Sequence, residues 1–369
     1  MKIGIDCREI YDVKSGAGAG VARYIFNLVK ALLKQQHGEY AFVLFFDKKI
    51  SRETIEELEA AGRFTSVFVR HGIPLISAHF YFPWLIKNSG VEQMIFPANT
   101  MPLFCFRRAL VVVHDLAIYL RPEWFPSQWF STKVLVPWSL MKAEKIIAVS
   151  QNTKKDILEI FPNIEDNRVT VVYPAGSLPY VLPQVEGKGR YVVFVGTLEP
   201  RKNVANLLRA FEKYLDETGA DTKLNLVSAW GWKTGEIYEA LRAVKEKYPD
   251  AVAFVSAVDD KKKAEIIAGA AALLFPSFYE GFGLPVVEAM ALGTPVITSR
   301  GSSLEEISSG AAVLIDPAKV YEIKDAIKKI LADQKFADEL IARGRIVASQ
   351  FSWDKSANVI LNLFQDRLS

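Results

Sequence analysis

Cysteine is scarce. Only Cys7 and Cys105 occur in 369 residues, too few for a disulfide framework or a cysteine-built metal site, so a reducing compartment fits. Long apolar runs are missing as well. None approaches the ~18 residues needed to cross a bilayer, and Met1-Lys2-Ile3-Gly4-Ile5-Asp6 reads as a first strand, not as a leader. Charge is nearly balanced: 45 Lys and Arg against 42 Asp and Glu leave +3. That excludes a nucleic-acid binder driven by bulk charge, though not a local basic patch. No Asp-x-Asp occurs and no cluster has metal-ligand spacing, so neither a metal nor a cofactor is expected. A cytoplasmic protein, at most associated with the inner face of the cytoplasmic membrane, is the expectation.

What the chain does have is a rhythm. Short β-branched runs alternate with amphipathic stretches such as Val21–Leu33 and Asn203–Leu215. Alternation of this kind predicts α/β architecture, with parallel sheets covered on both faces. The rhythm breaks once, from Pro174 to Gly189, where prolines and glycines cluster. Residues 1–176 and 190–350 therefore read as two doubly wound domains joined by a linker at 177–189. Ligands bind at the C-terminal ends of parallel strands, so two such sheets would face one another across a cleft.

The first candidate site follows the strand Ala272-Leu-Leu-Phe-Pro-Ser277. The loop Phe278-Tyr279-Glu280-Gly281-Phe282-Gly283 leads into a helix at Leu284-Pro285, with Pro285 suited to a first turn. Gly283 admits a ligand close to the backbone, and the helix start favours an anion. Glu280 and Glu288 flank that start. Carboxylates beside an anion site suit the hydroxyls attached to the anion, as on a ribose or a hexose. Each alone could be an exposed loop acid or a helix-dipole partner; together they read as functional.

The second candidate is Gly196-Thr-Leu-Glu-Pro-Arg201-Lys202-Asn203, directly after the run Tyr191–Val195. Two cations at a helix start oppose its dipole, at about 0.3–1 kcal/mol each. A bound diphosphate would compensate them, and without it their removal should barely change stability. A solvated charge pair is the plain alternative.

With these motifs in this order and spacing, the chain resembles the retaining glycosyltransferases of the group-1 family, family 4 among carbohydrate enzymes, which have the GT-B fold. The resemblance implies two Rossmann-like domains, with the segment 351–369 (Phe351-Ser-Trp353-Asp354 and a last helix) crossing back to the first. It implies that Arg201 and Lys202 neutralise a donor diphosphate beside Gly196. The backbone at Phe282, Gly283 and Leu284 would cap it, Glu288 would hold the ribose and Glu280 the donor sugar. His114, in Val111-Val-Val-His-Asp115 at a strand end, would sit near the anomeric carbon. Gly16, Gly18 and Gly20 would line the acceptor and phosphate side. The stretch from Val113 to Phe125 is similar to members that build bacterial surface polysaccharides, many of them mannosyltransferases. The implied reaction is metal-independent transfer from a GDP- or UDP-sugar, GDP-mannose first, to a glycan or lipid-linked acceptor.

Two rival readings stand beside it. A dinucleotide enzyme would need glycine where Val21 stands. A non-catalytic nucleotide-sugar binder would not need Arg201, Lys202, Glu280 and Glu288 all intact. Finally, basic and aromatic residues interleave at Phe80–Lys87, Phe104–Arg108 and Trp124–Lys133. A core with its edges and a surface resting on anionic lipid both fit that pattern.

Overall fold

The computed structural model describes residues 1–11, 20–35, 38–70, 73–126, 130–178, 189–256 and 258–365. Among the described residues thirteen strands form two sheets. The first holds β1 (Lys2–Asp6), β2 (Ala41–Asp47), β3 (Phe64–Val69), β4 (Gln93–Phe96), β5 (Arg108–Val113), β6 (Lys145–Ala148) and β7 (Val169–Val171), in the order 3-2-1-4-5-6-7. The second holds β8 (Tyr191–Val195), β9 (Lys223–Val227), β10 (Val252–Val255), β11 (Ala272–Phe275), β12 (Val296–Ser299) and β13 (Val313–Ile315), in the order 10-9-8-11-12-13. Every pairing is parallel. The cause lies in composition. Runs such as Ala109–Val113 and Ala272–Phe275 are buried throughout, and a strand apolar on both faces must be covered on both.

Each strand order reverses once. In the first sheet β1 lies between β2 and β4; in the second β8 lies between β9 and β11. At such a switch point the connections on either side leave in opposite directions and open a crevice beyond the strand ends. The segments that leave β8 and β11 are the two candidate motifs.

The chain divides into two compact units. The first is Met1–Tyr119, Ser127–Pro174 and Ser352–Ser369; the second is Leu120–Pro126 and Ala175–Phe351. Leu120–Pro126 thus departs from the expectation that residues 1–176 form one domain. The reason is local: the Trp124 ring stacks on Phe278 at 5.8 Å, and Trp232 Nε1 donates to the Trp124 carbonyl at 2.8 Å. The expected linker lies largely outside the described residues. Within the first unit, helix Trp353–Gln365 packs on helix Gly20–Lys34. Ser356 Oγ donates to the Tyr173 carbonyl at 2.5 Å, and the Tyr24 and Trp353 rings meet edge-on at 5.3 Å. In the second unit Phe194 of β8 stacks on Phe275 of β11 at 6.3 Å, which fixes the two site-bearing strands side by side.

Candidate active site

The loop after β8 starts at Gly196, whose φ of +151° suits a residue without Cβ. A tight Pro200–Lys202 turn follows. Asn203 then takes a left-handed conformation, φ 58°, and helix Val204–Thr218 begins. Asparagine tolerates that region when its side chain finds local partners. Here Asn203 Nδ2 donates to the Pro276 carbonyl at 3.0 Å and the Pro317 carbonyl at 2.6 Å. The Phe278 amide donates to the Arg201 carbonyl at 2.9 Å. These bonds tie the loop after β8 to the loop after β11. A cavity of about 250 Å³ opens beside this clasp, lined by Trp124, Pro200, Asn203 and Phe278 among others.

Four charges meet where the loops touch. Arg201 Nη1 donates to Glu280 Oε2 at 2.7 Å and Lys202 Nζ to Glu280 Oε1 at 2.5 Å. Arg201 Nη2 donates to Glu199 Oε1 at 2.8 Å. Glu199 and Glu280 are both buried. Burial alone would raise the pKa of Glu280, yet Arg201 and Lys202 outweigh it and hold the carboxyl at about 2. Burial dominates at Glu199 and pushes its pKa up; its second oxygen has no partner among the described residues. Burial also pulls Lys202 down, against the attraction of Glu280.

This cluster corrects one expectation. The two cations do not await a ligand for compensation, because Glu199 and Glu280 supply it. Removing either cation should therefore cost stability in the absence of any ligand. Glu280 is no exposed loop acid either. Its loop is held by Ser303 Oγ, which donates to the carbonyls of Glu280 (2.8 Å) and Phe282 (3.0 Å).

Gly283 precedes helix Leu284–Ala291 with φ 109°. A Cβ there would lie 2.6 Å from Leu304 Cδ2, so glycine is required twice over. Phe282 is buried edge-on against Phe351 at 5.4 Å, and Leu284 is the first helical residue. Glu288, one turn in and 2 % exposed, pairs with Lys263 Nζ at 2.8 Å through Oε2 and accepts the Ser177 amide at 3.3 Å through Oε1. Glu280 and Glu288 thus sit in separate charge environments.

In the first unit His114 follows β5, with its amide donating to Asn99 Oδ1 at 2.8 Å. Its Nε2 lies 2.7 Å from the Pro97 carbonyl. A carbonyl can only accept, so Nε2 carries the proton and Nδ1 is the acceptor of the neutral ring. Burial lowers the imidazole pKa and favours that neutral form. The Tyr24 ring meets it edge-on at 4.7 Å. Gly20 opens helix Gly20–Lys34 with open space where a Cβ would be. Gly16 and Gly18 lie outside the described residues. Of the other histidines, His37 and His71 lie outside them too, and His79 is a buried acceptor for the Leu103 amide.

The structure therefore joins Arg201, Lys202 and Glu280 beside Gly196, and places Glu288 on the adjoining helix. Sequence reasoning passed over Glu199, Lys263 and Ser303. Glu199 stood in the quoted motif, two residues before Arg201; an acid that close to two cations was the available signal. Lys263 carried no signal, because its partner is distant in sequence. Among the described residues no group of three or more His, Cys, Asp or Glu could hold a metal ion.

Residues 183–347 match the family described as Glycosyl transferases group 1. The chain is 29% identical to O-antigen chain mannosyltransferase B of Escherichia coli, covering 94% of this chain and 96% of that one. It is 24% identical to O-antigen chain mannosyltransferase RfbU of Salmonella typhimurium, over 75% and 74% of the two. In fold it is similar to HepE of Anabaena, solved with UDP and glucose: TM-score 0.77, 16% identity, 99% and 100% covered. Sucrose-phosphate synthase of Thermosynechococcus elongatus superposes with TM-score 0.73 at 20% identity, 99% and 98% covered.

Proposed function

We propose that this chain, which belongs to the group-1 glycosyltransferases of GT-B fold, transfers mannose from GDP-mannose to a glycan or lipid-linked glycan, retaining the anomeric configuration without a metal ion. The observation that carries the reaction is the buried cluster of Arg201, Lys202, Glu199 and Glu280 at the switch point of the second sheet. Similarity to one mannosyltransferase over nearly the whole of both chains, and to another over about three quarters of each, supports the sugar.

Arg201 and Lys202 both donate to Glu280. An arriving diphosphate competes for them, and the guanidinium and ammonium turn part of their hydrogen bonding to its oxygens. The amides at Gly283 and Leu284, at the start of helix Leu284–Ala291, cap the same charge. Glu280, relieved of part of its pairing, accepts a hydroxyl of the donor sugar. Glu288, anchored by Lys263, accepts the ribose hydroxyls. The resemblance to the family would give the neutral His114, whose Nδ1 is an acceptor, a place near the anomeric carbon, and Gly16, Gly18 and Gly20 a role on the acceptor side. As the bond from the anomeric carbon to the diphosphate oxygen breaks, the acceptor oxygen bonds to that carbon on the same face. The acceptor proton passes to the departing phosphate. Fixed cations stabilise the charge that develops there, which is electrostatic catalysis by preorganised groups.

The test is release of nucleoside diphosphate from a panel of nucleotide sugars, with the glycan product examined by NMR. Turnover of GDP-mannose with a retained anomeric centre is expected. Turnover of UDP-sugars alone would overturn the donor, and an inverted product would overturn the mechanism.

A further inference from the structure

The first unit carries an outward face that its own core does not explain. The helical run 74–88 includes a five-residue π turn, Ser77–Tyr81. It buries His79, Phe82 and Ile86 against the unit. Its opposite side should be polar, yet Leu75, Phe80 and Trp84 there are each more than half exposed. A helix apolar all round is normally covered on all sides. The π turn adds one residue to the winding and so rotates the residues after it relative to those before. The Phe80 ring packs at 4.5 Å on Phe104, from the loop before β5, and Phe106 in that loop is 91% exposed. Helix and loop thus form one patch, larger than scattered surface apolar residues account for.

Charge singles out what covers it. Residues 60–91, 93–114 and 130–143 contain no Asp or Glu, but hold seven Lys and Arg. Among the described residues none of Arg70, Lys87, Arg107 and Lys133 is in an ion pair. Glu92, one of the few acids nearby in sequence, accepts the Lys2 amide at 2.8 Å. A second copy meeting this face by two-fold symmetry would set cations against cations. An anionic bilayer supplies an apolar layer and negative headgroups together, and aromatic rings favour that boundary.

We propose that this face of the first unit docks on the surface of an anionic lipid bilayer, with Phe80, Trp84 and Phe106 entering the headgroup boundary and Arg70, Lys87 and Arg107 meeting anionic headgroups. The docking goes beyond the transfer reaction and does not depend on which donor is used. It needs no spanning segment; no described helix is long and apolar enough to cross a membrane.

The experiment is sedimentation of the full chain with phosphatidylcholine vesicles, with and without phosphatidylglycerol, at low and high salt. Binding should require phosphatidylglycerol and weaken with salt. Each cation removed should weaken it about five-fold. The double variant Trp84→Ser, Phe106→Ser should lose sedimentation while circular dichroism and donor hydrolysis stay unchanged. Arg70→Glu with Lys87→Glu should do the same, which separates docking from any fault in the apolar variant. Equal binding to neutral vesicles, or undiminished binding by both variants, would overturn the proposal. So would self-association through the patch, read as a dimer in the wild type and a monomer in the double variant, with no vesicle binding.

Discussion

Replacing Glu280 by glutamine tests the cluster most directly. The change keeps size and shape but removes one negative charge from four, leaving Arg201 and Lys202 against Glu199 alone. One amide oxygen can accept from Arg201, and the amide NH2 must then face the Lys202 ammonium, a donor against a donor. Two routes give the size of the loss. Glu280 is held at about 2 against an ordinary 4.5, which at 1.36 kcal/mol per unit is about 3 kcal/mol of stabilisation. Removal of one partner from a buried ion pair costs roughly 3–5 kcal/mol. The low end fits better, because Arg201 keeps its pairing with Glu199. For a unit of this size, about 3 kcal/mol corresponds to a melting temperature roughly 6–12 °C lower. The pH dependence carries a sign. A depressed carboxyl pKa stabilises fully above the unfolded value and is lost as pH falls through the folded one, so the wild type should lose this stability between pH 4.5 and about 2. Glu199, raised by burial and also by Glu280 itself, slopes the other way; without Glu280 that rise shrinks, so the difference between the two proteins reports the coupled pair. Calorimetry at neutral pH and along an acid series is the assay. A variant melting within about 2 °C of wild type, with the same acid slope, would refute the reasoning.

Arg201→Ala should weaken nucleoside-diphosphate binding by about 1.5–3 kcal/mol, read by titration calorimetry, and also lower the melting temperature without ligand; an unchanged apo protein would mean the cluster is not formed. Glu288→Gln should raise the dissociation constant of GDP itself, since ribose is present with or without sugar, whereas Glu280→Gln should lower turnover more than affinity. Equal losses of affinity would remove that division of roles. Donor hydrolysis should survive excess EDTA, and a loss restored by Mg²⁺ or Mn²⁺ would place a metal in the reaction.

Strand content was legible because parallel strands are apolar on both faces and bounded by turns. Ala272–Phe275 and Tyr191–Val195 stand out of the sequence by composition alone. The ordering that sets the loop after β8 next to the loop after β11 was not legible; it follows from the pairing of those strands. Site residues near one another in sequence, such as Arg201 and Lys202, were found through their motif. Their pairing with Glu280, some eighty positions away, required the fold. Leu120–Pro126 was read as part of the first domain because nothing local marks it. Its allegiance comes from Trp124 stacking on Phe278. Helix 74–88 was harder still, since an apolar stretch looks alike whether its partner is a core or a surface outside the molecule.

The entry of residues 352–369 into the first unit has a consequence for how the chain is made. Translation delivers β1 to β7 early, but helix Trp353–Gln365, which meets Tyr24 through Trp353 and the Tyr173 carbonyl through Ser356, emerges only after the whole second unit. At cellular elongation speeds the nascent first unit waits roughly 10–35 s for its last piece. During that interval the side of helix Gly20–Lys34 that carries Tyr24 lacks its cover, while the second unit can already fold from Ala175 onward. The part of the protein synthesised first is thus the last to be finished, and a chain released before Ser352 would leave an unfinished first unit for chaperones although every residue of the second had been made.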